Sequence, residues 1–438
     1  MDKLERTRQE LSKYQYVQFT FCDINGTSRG KILPVRNADS FEKGLAIYAG
    51  SLMFGHKSEL VIPKEVSDAG FGNMVFVPDL DTLHPIPWAG NGKFKVAEFY
   101  CETAWMPSRK YQDACPRYIA KRQSQRLQDM GYDSFSGFEI EFILKNQQTK
   151  ASLFYGPHYC MNKTFGRLEP FLLELDTQLS ESGVEIGELH VEYPPGMVEC
   201  VMKPQWGIKC PDSTFGFVQG VFEMAEQHDL LATFVSKSKM TQCGIGSHFN
   251  IALWNKETRV NVFHDATQAD CLSETTRYWI GGLMKHAGAL TAICSPTVNC
   301  YRRLFQPWAP GKCFWDIDNR NATFRVKNDN MKNTYIENRI PSGKCNPYLV
   351  YAATLAAGID GIVNKIKCPP PNDPSAPDLP SSLAAALDAL KQDDAMMSAL
   401  SQQFVDWFIQ LKTEKEIKPL QEAPNDEKRF QMEIEMYG

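Results

Sequence analysis

Residues 137–144 read GFEIEFIL, in which apolar and acidic side chains alternate with a period of two. This alternation predicts a β-strand with apolar side chains on one face and Glu139 and Glu141 on the other. Two carboxylates on one face of an apolar strand are unfavourable unless a cation satisfies them, and a divalent metal would do so. A surface strand with a solvated acidic face is the alternative.

The composition of the 438-residue chain is typical of a globular protein, with 43% hydrophobic and 23% charged residues. This length is enough for two or three domains, or for one large catalytic domain with an appendage. A net charge of −5 does not indicate a nucleic-acid or anionic-membrane partner. The charged N-terminal segment predicts no signal peptide, and the lack of an apolar run of roughly 18 residues predicts no membrane span.

The cysteine pattern indicates the redox compartment. The 13 cysteines are odd in number and scattered, and none forms a C-x-x-C pair. This favours reduced thiols over a disulfide framework or a zinc site, so we expect a cytoplasmic protein.

Turn and strand signals divide the chain into two regions. Residues 1–110 contain a charged helix over about 3–13 and several short strands, which predicts a small strand-rich domain. In residues 111–438, strands and helices alternate, and two amphipathic helices follow over 381–390 and 394–412. The second region is therefore predicted to be an α+β domain.

A second pair of carboxylates is predicted in a hairpin. Glu192 ends one predicted strand, Glu199 begins the next, and a Pro-Pro-Gly turn at 194–196 brings them together. A hairpin with polar rims and no ligand is the alternative.

A Gly-rich loop at 243–247 runs into another predicted strand, on which His248 and Asn250 share a face. Glycines in such a loop permit close approach of the backbone to a ligand. A further alternating strand places Glu337 and Arg339 on one face. A core histidine and a salt-bridged surface strand are the alternatives.

Basic side chains lie near these acids in the sequence, namely Arg302, Arg303, Arg320, Arg325, Lys332 and Arg339. Five carboxylates, one imidazole and several guanidinium groups suggest hard divalent metals together with a phosphate. Oxygen ligands favour Mg²⁺ or Mn²⁺ over zinc, and the arginine fork suits phosphoryl oxygens. Since the chain has no P-loop and no kinase signature, these residues predict metal-dependent phosphoryl chemistry on another α+β scaffold.

Ordered motifs run through nearly the whole chain, namely FTFCDING at 19–26, VFVPD at 75–79, NPYL at 346–349 and LPSSL at 379–383. Together with the residues above, they resemble the class I glutamine synthetases. Within that superfamily, CPRYIAKRQ at 115–123 is similar to the lengsin branch, from vertebrate lens, or to an invertebrate relative. The resemblance implies a β-grasp-like N-terminal domain, residues 1–110, and a catalytic domain, residues 111–438, whose antiparallel sheet forms a half-barrel around the site.

The resemblance also implies roles for single residues. One metal would be held by Glu141, Glu192 and Glu199, and the other by Glu139, His248 and Glu337. Substrate binding is implied for Glu141, Gly244, His248, Arg303 and Arg339, and nucleotide binding for Arg320, Arg325, Lys332 and Asn250. Catalytic roles are implied for Arg303, Arg320 and Arg339. The family uses ATP and two or three Mg²⁺ or Mn²⁺ ions to form γ-glutamyl phosphate, which ammonia attacks.

The departures from the family pattern affect the ammonium half of the site. Two aspartates that would reach a neighbouring subunit's site fall at Ala49 and Asn73, and the flap glutamate is absent from QPWAP at 306–310. The family's Asn, second His and Gln are replaced by Cys243, Asn250 and Met197. The metal and phosphate half of the motif set is retained.

Three functions compete on this pattern. The retained metal ligands favour an ATP-dependent ligase that joins a carboxylate, such as that of glutamate, to an amine other than ammonia. A catalytically inactive, lengsin-like structural protein is the second, and it would imply a cytoskeletal partner. The missing acids disfavour the third, an ordinary glutamine synthetase. The resemblance further implies self-assembly into stacked hexameric rings, a dodecamer, with a small acid and an amine as the ligands of an active enzyme.

Overall fold

A computed structural model describes residues 2–438, so Met1, the first residue of the predicted N-terminal domain, lies outside the described residues. The first sheet has six strands: β1 (Tyr16–Cys22), β2 (Ser28–Pro34), β3 (Leu45–Tyr48), β4 (Asn73–Pro78), β5 (His84–Pro85) and β6 (Val96–Trp105). Their order is β2-β1-β6-β4-β3, with β5 beside β6. β1 pairs in parallel with β6 and antiparallel with β2, which gives the β-grasp-like centre.

The second sheet has nine strands: β7 (Tyr132–Asn146), β8 (Ile186–Val191), β9 (Met197–Met202), β10 (Gln205–Trp206), β11 (Leu230–Thr233), β12 (Ser247–Asn255), β13 (Trp315–Ile317), β14 (Phe324–Asn328) and β15 (Thr334–Asn338). The order is β13-β14-β15-β12-β7-β9-β8, and β10 and β11 also pair with β7. All of these pairs are antiparallel except β13 with β14. The sheet curves into a nearly closed barrel, where the resemblance implied a half-barrel, and the α+β fold class is confirmed.

Thirteen α-helices lie within the described residues: α1 (Lys3–Leu11), α2 (Lys64–Asp68), α3 (Pro116–Asp129), α4 (Asn162–Glu181), α5 (Lys209–Gln227), α6 (Glu274–Lys285), α7 (Ala287–Cys294), α8 (Pro347–Val363), α9 (Leu383–Lys391), α10 (Asp394–Leu400), α11 (Gln402–Lys412), α12 (Lys418–Gln421) and α13 (Asp426–Tyr437). α8 is the core helix, and nearly all of its residues are buried. It starts at an Asn346 side chain that accepts hydrogen bonds from two backbone N–H groups. Close packing against α6 needs glycine at 361, since a Cβ there would lie 2.1 Å from the Tyr278 carbonyl oxygen.

A buried ion cluster joins the first sheet to the helices. Arg117 of α3 is 2% exposed and donates to both carboxylate oxygens of Asp212 on α5, at 2.8 and 2.9 Å. It also donates to Asp79, which follows β4, and to Glu102 of β6. Removing this side chain would leave three carboxylates, two from the first sheet and one from α5, without the cation that they share.

One predicted helix was wrong. Residues 394–412 form two helices, α10 and α11, because Ser401 between them adopts a φ of +90°. Its hydroxyl accepts from the Phe404 backbone N–H, as an N-cap, and donates to the Asp113 carbonyl. The predicted helix over 3–13 ends at Leu11, and the helix predicted over 381–390 is α9.

Other expectations concern the whole chain. All thirteen cysteines are free thiols. Between residues 2 and 438, no helix has both the length and the apolar character needed to cross a membrane. The division of the chain at residue 110 stays a prediction.

Candidate active site

Cross-strand register places the predicted acids on one face of the second sheet. Side chains alternate along a strand, so residues in register on neighbouring strands point to the same face. His190 of β8 lies opposite Glu199 of β9, and Glu199 lies opposite Glu141 of β7. Two positions before Glu141, Glu139 lies opposite His248 of β12.

The same row continues beyond β12. Asn250 lies opposite Glu337 of β15, and Glu337 lies opposite Arg325 of β14. The row therefore crosses six adjacent strands and brings together side chains that are far apart in the sequence. We call it the cross-strand row; its members are Glu139, Glu141, His190, Glu199, His248, Asn250, Arg325 and Glu337.

The first group in the row consists of Glu139, His248 and Glu337. Potential ligand atoms from these three residues all lie within 4.8 Å of one another. The His248 Nδ1 atom is 3.2 Å from a Glu337 oxygen and 3.6 Å from a Glu139 oxygen. The Asn250 amide donates to the other Glu139 oxygen at 2.8 Å and so orients this carboxylate. This group has the same three members as one of the predicted metal sets.

The second group consists of His190, Glu192 and Glu199, again with ligand atoms within 4.8 Å of one another. The His190 Nε2 atom lies 3.3 Å from Glu192 and 3.8 Å from Glu199. The predicted set had Glu141 in place of His190. Glu141 lies beside this group, where its carboxylate accepts a hydrogen bond of 2.6 Å from the Gly246 backbone N–H.

Sequence reasoning missed His190. The sequence did contain an indication, because residues two apart in a strand share a face and His190 stands two residues before Glu192. Glu192 follows β8 instead of ending it, and its carboxylate also accepts from the Tyr193 N–H at 2.8 Å.

Burial makes two acids of this face, Glu141 and Glu199, difficult to ionise. It raises the pKa of Glu199 to about 9, and the nearby Glu141 carboxylate adds to the shift. Burial likewise raises the pKa of Glu141 to about 7, although the Gly246 N–H opposes it. Several carboxylates with too few cations to balance them are a chemical setting that a divalent ion would relieve. Their oxygen-rich donor set, with two imidazoles, fits Mg²⁺ or Mn²⁺.

Arginines surround the other end of the row. Glu337 is 2% exposed and accepts from Arg339 and, at 3.2 Å, from Arg325. The Arg303 guanidinium lies 3.2 Å from the His248 Nε2 atom, while the other ring nitrogen, Nδ1, faces Glu139 and Glu337. Burial lowers the pKa of His248 well below its usual value, and Arg339 lowers it further.

Arg303 is closely packed by its neighbours. It is 3% exposed, its guanidinium also donates to the Ile340 and Arg339 carbonyls, and burial lowers its pKa to about 10. Glycine at position 244 permits this close packing, because a Cβ there would lie 2.7 Å from the Arg303 Cβ. The predicted residues Gly244, Arg303 and Arg339 are therefore adjacent to the first group.

Two predicted residues lie outside these contacts. Arg320 is exposed in the loop after β13, and Lys332 is exposed in the turn between β14 and β15. Among residues 2–438, neither side chain has a hydrogen-bond or ion-pair partner. Their nucleotide roles stay predictions.

The loop at 305–310 borders the arginine end of the row. The Trp308 carbonyl accepts from Arg339 at 3.2 Å, while the residue as a whole is 67% exposed. Ala49 and Asn73 lie side by side elsewhere, at the end of the β3–β4 pair, where Tyr48 is in register with Asn73. Ala49 is 1% exposed and Asn73 is exposed, so the described chain presents no carboxylate at either position.

The family model described as "Glutamine synthetase, catalytic domain" matches residues 113–434. The chain belongs to the glutamine synthetase family. Lengsin of Rattus norvegicus is 28% identical over 94% of this chain and 74% of its own length. Glutamine synthetase of Thermotoga maritima is 30% identical over 92% of both chains. A solved structure of a GmaS/ADP complex superposes with a TM-score of 0.85 over 98% of both chains at 23% identity, which shows a shared fold.

These comparisons confirm the resemblance that the motifs indicated, including the proximity to lengsin. They also confirm the predicted α+β fold of the glutamine synthetases. This family is one of ligases that use ATP and divalent metals.

Proposed function

We propose that this glutamine synthetase family member is an ATP- and divalent-metal-dependent ligase that joins a glutamate-type carboxylate to an amine other than ammonia. The observation that supports the ligase is the cross-strand row, in which two groups of metal-type ligands adjoin three arginines. The observation that supports an unusual amine is the exposed Trp308 beside that row, in a loop without a carboxylate.

The metal ligands would come from the first group, from two acids of the second group, and from Glu141 beside the second group. Glu139, His248 and Glu337 would hold one ion, and Glu192, Glu199 and the adjacent Glu141 would hold the other. Bound Mg²⁺ or Mn²⁺ would neutralise the phosphate oxygens and the charge that develops during phosphoryl transfer. His190 would orient Glu192 and Glu199 through the contacts described above.

The proposed reaction has two steps. A carboxylate oxygen of the acid attacks the γ-phosphorus of ATP, the bond to the bridging oxygen breaks, and ADP leaves. The amine nitrogen then attacks the acyl carbon, phosphate leaves with the electron pair of the C–O bond, and the nitrogen loses a proton. Arg303, Arg325 and Arg339 would hold the anionic oxygens of acid and phosphate in position.

The amine preference follows from charge. An ammonium ion needs carboxylates to be captured and a base to become nucleophilic ammonia. Alanine and asparagine stand at 49 and 73, and the 305–310 loop carries no acid. A larger amine can gain binding energy from apolar contact or from a cation–π contact with Trp308, and it needs no cage of acids.

The direct test measures ADP release with Mn²⁺ or Mg²⁺, glutamate and a panel of amines that includes ammonium and alkylamines. We expect turnover with an alkylamine and near-background turnover with ammonium. Trp308→Ala should lower kcat/KM for the amine while the KM for ATP stays unchanged. Robust glutamine synthesis from ammonium, abolished by Glu337→Ala, would restore the ordinary enzyme and contradict the proposal.

A structural role like that of lengsin is the second candidate, and the similarity to rat lengsin favours it. It would be supported if no amine in the panel stimulated ADP release from the folded oligomer, and a cytoskeletal partner would then be the ligand to seek. For either role we propose a cytoplasmic protein assembled in stacked hexameric rings. Native mass spectrometry that showed only monomer at micromolar concentration would contradict the rings.

A further inference from the structure

A cavity of about 320 Å³ lies away from the cross-strand row. The turn at 25–28 between β1 and β2, helix α5, the segment 343–347 and the end of α13 enclose it. Its volume lies in the range of small-molecule sites. No member of the cross-strand row and no other predicted ligand residue lines it.

One wall of the cavity is apolar. Phe215, Val218 and Phe222 project from α5, and Phe234, just after β11, adds a further ring. The Phe222 and Phe234 rings pack edge to face with centroids 5.1 Å apart, so this wall is held in place by its own packing. Such a surface suits the body of an apolar or aromatic molecule.

Lys344 supplies a positive charge to this cavity. Its Nζ atom lies 5.9 Å from the centroid of the Phe222 ring. Within residues 2–438 its ammonium has no hydrogen-bond or ion-pair partner, although the side chain is partly buried. Burial lowers the pKa of Lys344 to about 8, and the nearby Lys412 adds to the shift while Glu416 opposes it.

Glu416, an acid near Lys344, compensates its charge only in part. Glu416, 1% exposed in the π-helical turn Thr413–Ile417, accepts from Lys412 at 2.5 Å, His56 at 3.0 Å and Tyr437 at 2.7 Å. Burial alone would raise the pKa of Glu416, yet Lys412 and His56 bring it to about 2. The carboxylate is therefore already saturated with donors, and these donors also fix the floor of the cavity, which His56 and Tyr437 line.

Charges at the rim do not change this balance. Lys57 is exposed and adds a second cation, and Glu435 is exposed and screened by water. The interior of the cavity thus offers one unpaired ammonium beside an aromatic wall.

We propose that this cavity is a binding site for a small organic anion, whose carboxylate or phosphate group pairs with Lys344 and whose apolar body packs against Phe222 and its neighbours. The bound anion supplies the negative charge that no protein group places beside the Lys344 ammonium. The site is separate from the proposed ligase site, and its occupancy requires neither ATP nor metal.

The test uses the full chain in metal-free, ATP-free buffer and four probes: 4-bromobenzoate, phenyl phosphate, inorganic phosphate and the neutral 4-bromobenzyl alcohol. Calorimetry compares wild type with Lys344→Met, Phe222→Ala and the control Lys163→Met, an exposed lysine at the start of α4. Circular dichroism establishes that each variant is folded. Bromine anomalous diffraction from wild-type crystals soaked in 4-bromobenzoate locates the probe without any variant.

We expect 4-bromobenzoate or phenyl phosphate to bind wild type, and the stronger of the two identifies carboxylate or phosphate as the preferred group. Lys344→Met should weaken binding about 10-fold or more, as expected for a charge-assisted hydrogen bond, and Lys163→Met should leave it unchanged. Inorganic phosphate and the alcohol should each bind more weakly than the probe that combines both parts.

Four results would overturn the proposal. The first is that neither aromatic anion binds folded wild type at concentrations up to ~10 mM. The second is that 4-bromobenzoate binds wild type and Lys344→Met with equal affinity, and the third is that the neutral alcohol binds wild type as tightly as 4-bromobenzoate does. The fourth is a bromine peak beside Arg303 instead of Lys344. None of these results bears on amine-dependent ADP release, so failure here is distinguishable from failure of the proposed ligase.

Discussion

Replacing Glu337 with glutamine tests whether the cross-strand row holds a metal. The carboxylate is 2% exposed, accepts from Arg325 and Arg339, and lies 3.2 Å from the His248 Nδ1 atom. Glutamine keeps the shape and one oxygen but removes the negative charge. It also leaves the two arginines without their shared acid, so that they repel any cation bound in the first group.

The expected loss of metal affinity follows from these charges. Two unit charges ~4 Å apart interact by ~4 kcal/mol at an effective dielectric constant of ~20. Because the glutamine oxygen still offers a ligand, we expect a loss of about 2.7 kcal/mol, which is ~100-fold in the dissociation constant for Mn²⁺. Electron paramagnetic resonance of free Mn²⁺ during a titration at fixed pH measures this constant directly.

A matched control separates the loss of metal from the loss of a buried ion pair. Glu433 is fully buried and accepts from Arg302 at 2.7 Å and from Asn299 at 2.9 Å, neither of which is a member of the row. Glu433→Gln should lower the unfolding midpoint as Glu337→Gln does, and it should bind Mn²⁺ like the wild type. Retention of wild-type Mn²⁺ affinity by folded Glu337→Gln would refute the metal site.

Three further outcomes are expected. Arg117→Met should lower the free energy of unfolding in urea by ~3–5 kcal/mol, because it leaves buried carboxylates without a cation. Lys121→Met, at a side chain that is 39% exposed, should lower it by less than ~1 kcal/mol. Glu416→Gln should cost about 3 kcal/mol near pH 7, since folding lowers the pKa of Glu416 from 4.5 to about 2. This contribution is present above pH 4.5 and disappears towards pH 2, so the gap in unfolding midpoint between wild type and variant should close as the pH falls. Asn73→Asp should raise ammonium-dependent kcat/KM about 10-fold if position 73 serves the amine site, and an unchanged value would show that it does not.

The period-two pattern of the sequence was enough to place residues on faces, but not to choose their partners. It put Glu139 with Glu141 and Glu337 with Arg339, and the structure agrees on both pairs. Which strand lies beside β7 depends on register across separations of 50 to 100 residues or more, for which a local pattern holds no information. The motif resemblance supplied the missing long-range order, because related chains share one sheet topology.

Local exceptions could not be predicted in the same way. The apolar periodicity of 394–412 continues through Ser401, so it predicts one helix, and only the positive φ and the hydroxyl contacts of Ser401 reveal the break. Likewise, the sequence around a histidine in a strand does not show whether its side chain is a metal ligand or part of the core. The contacts of its imidazole with Glu192 and Glu199 make His190 a candidate site residue.

The charge distribution along the row bears on the choice between ligase and structural protein. At one end, Arg325 and Arg339 already neutralise Glu337, and that end would be stable without a ligand. At the other end, Glu199 and its acidic neighbours face one another with only an imidazole between them, and burial pushes the pKa of Glu199 to about 9. A protein kept only for its shape would gain stability by losing such acids, since uncompensated buried carboxylates are destabilising. Their presence opposite an intact set of arginines supports the proposed ligase, with a cation and an anionic substrate, over the structural alternative.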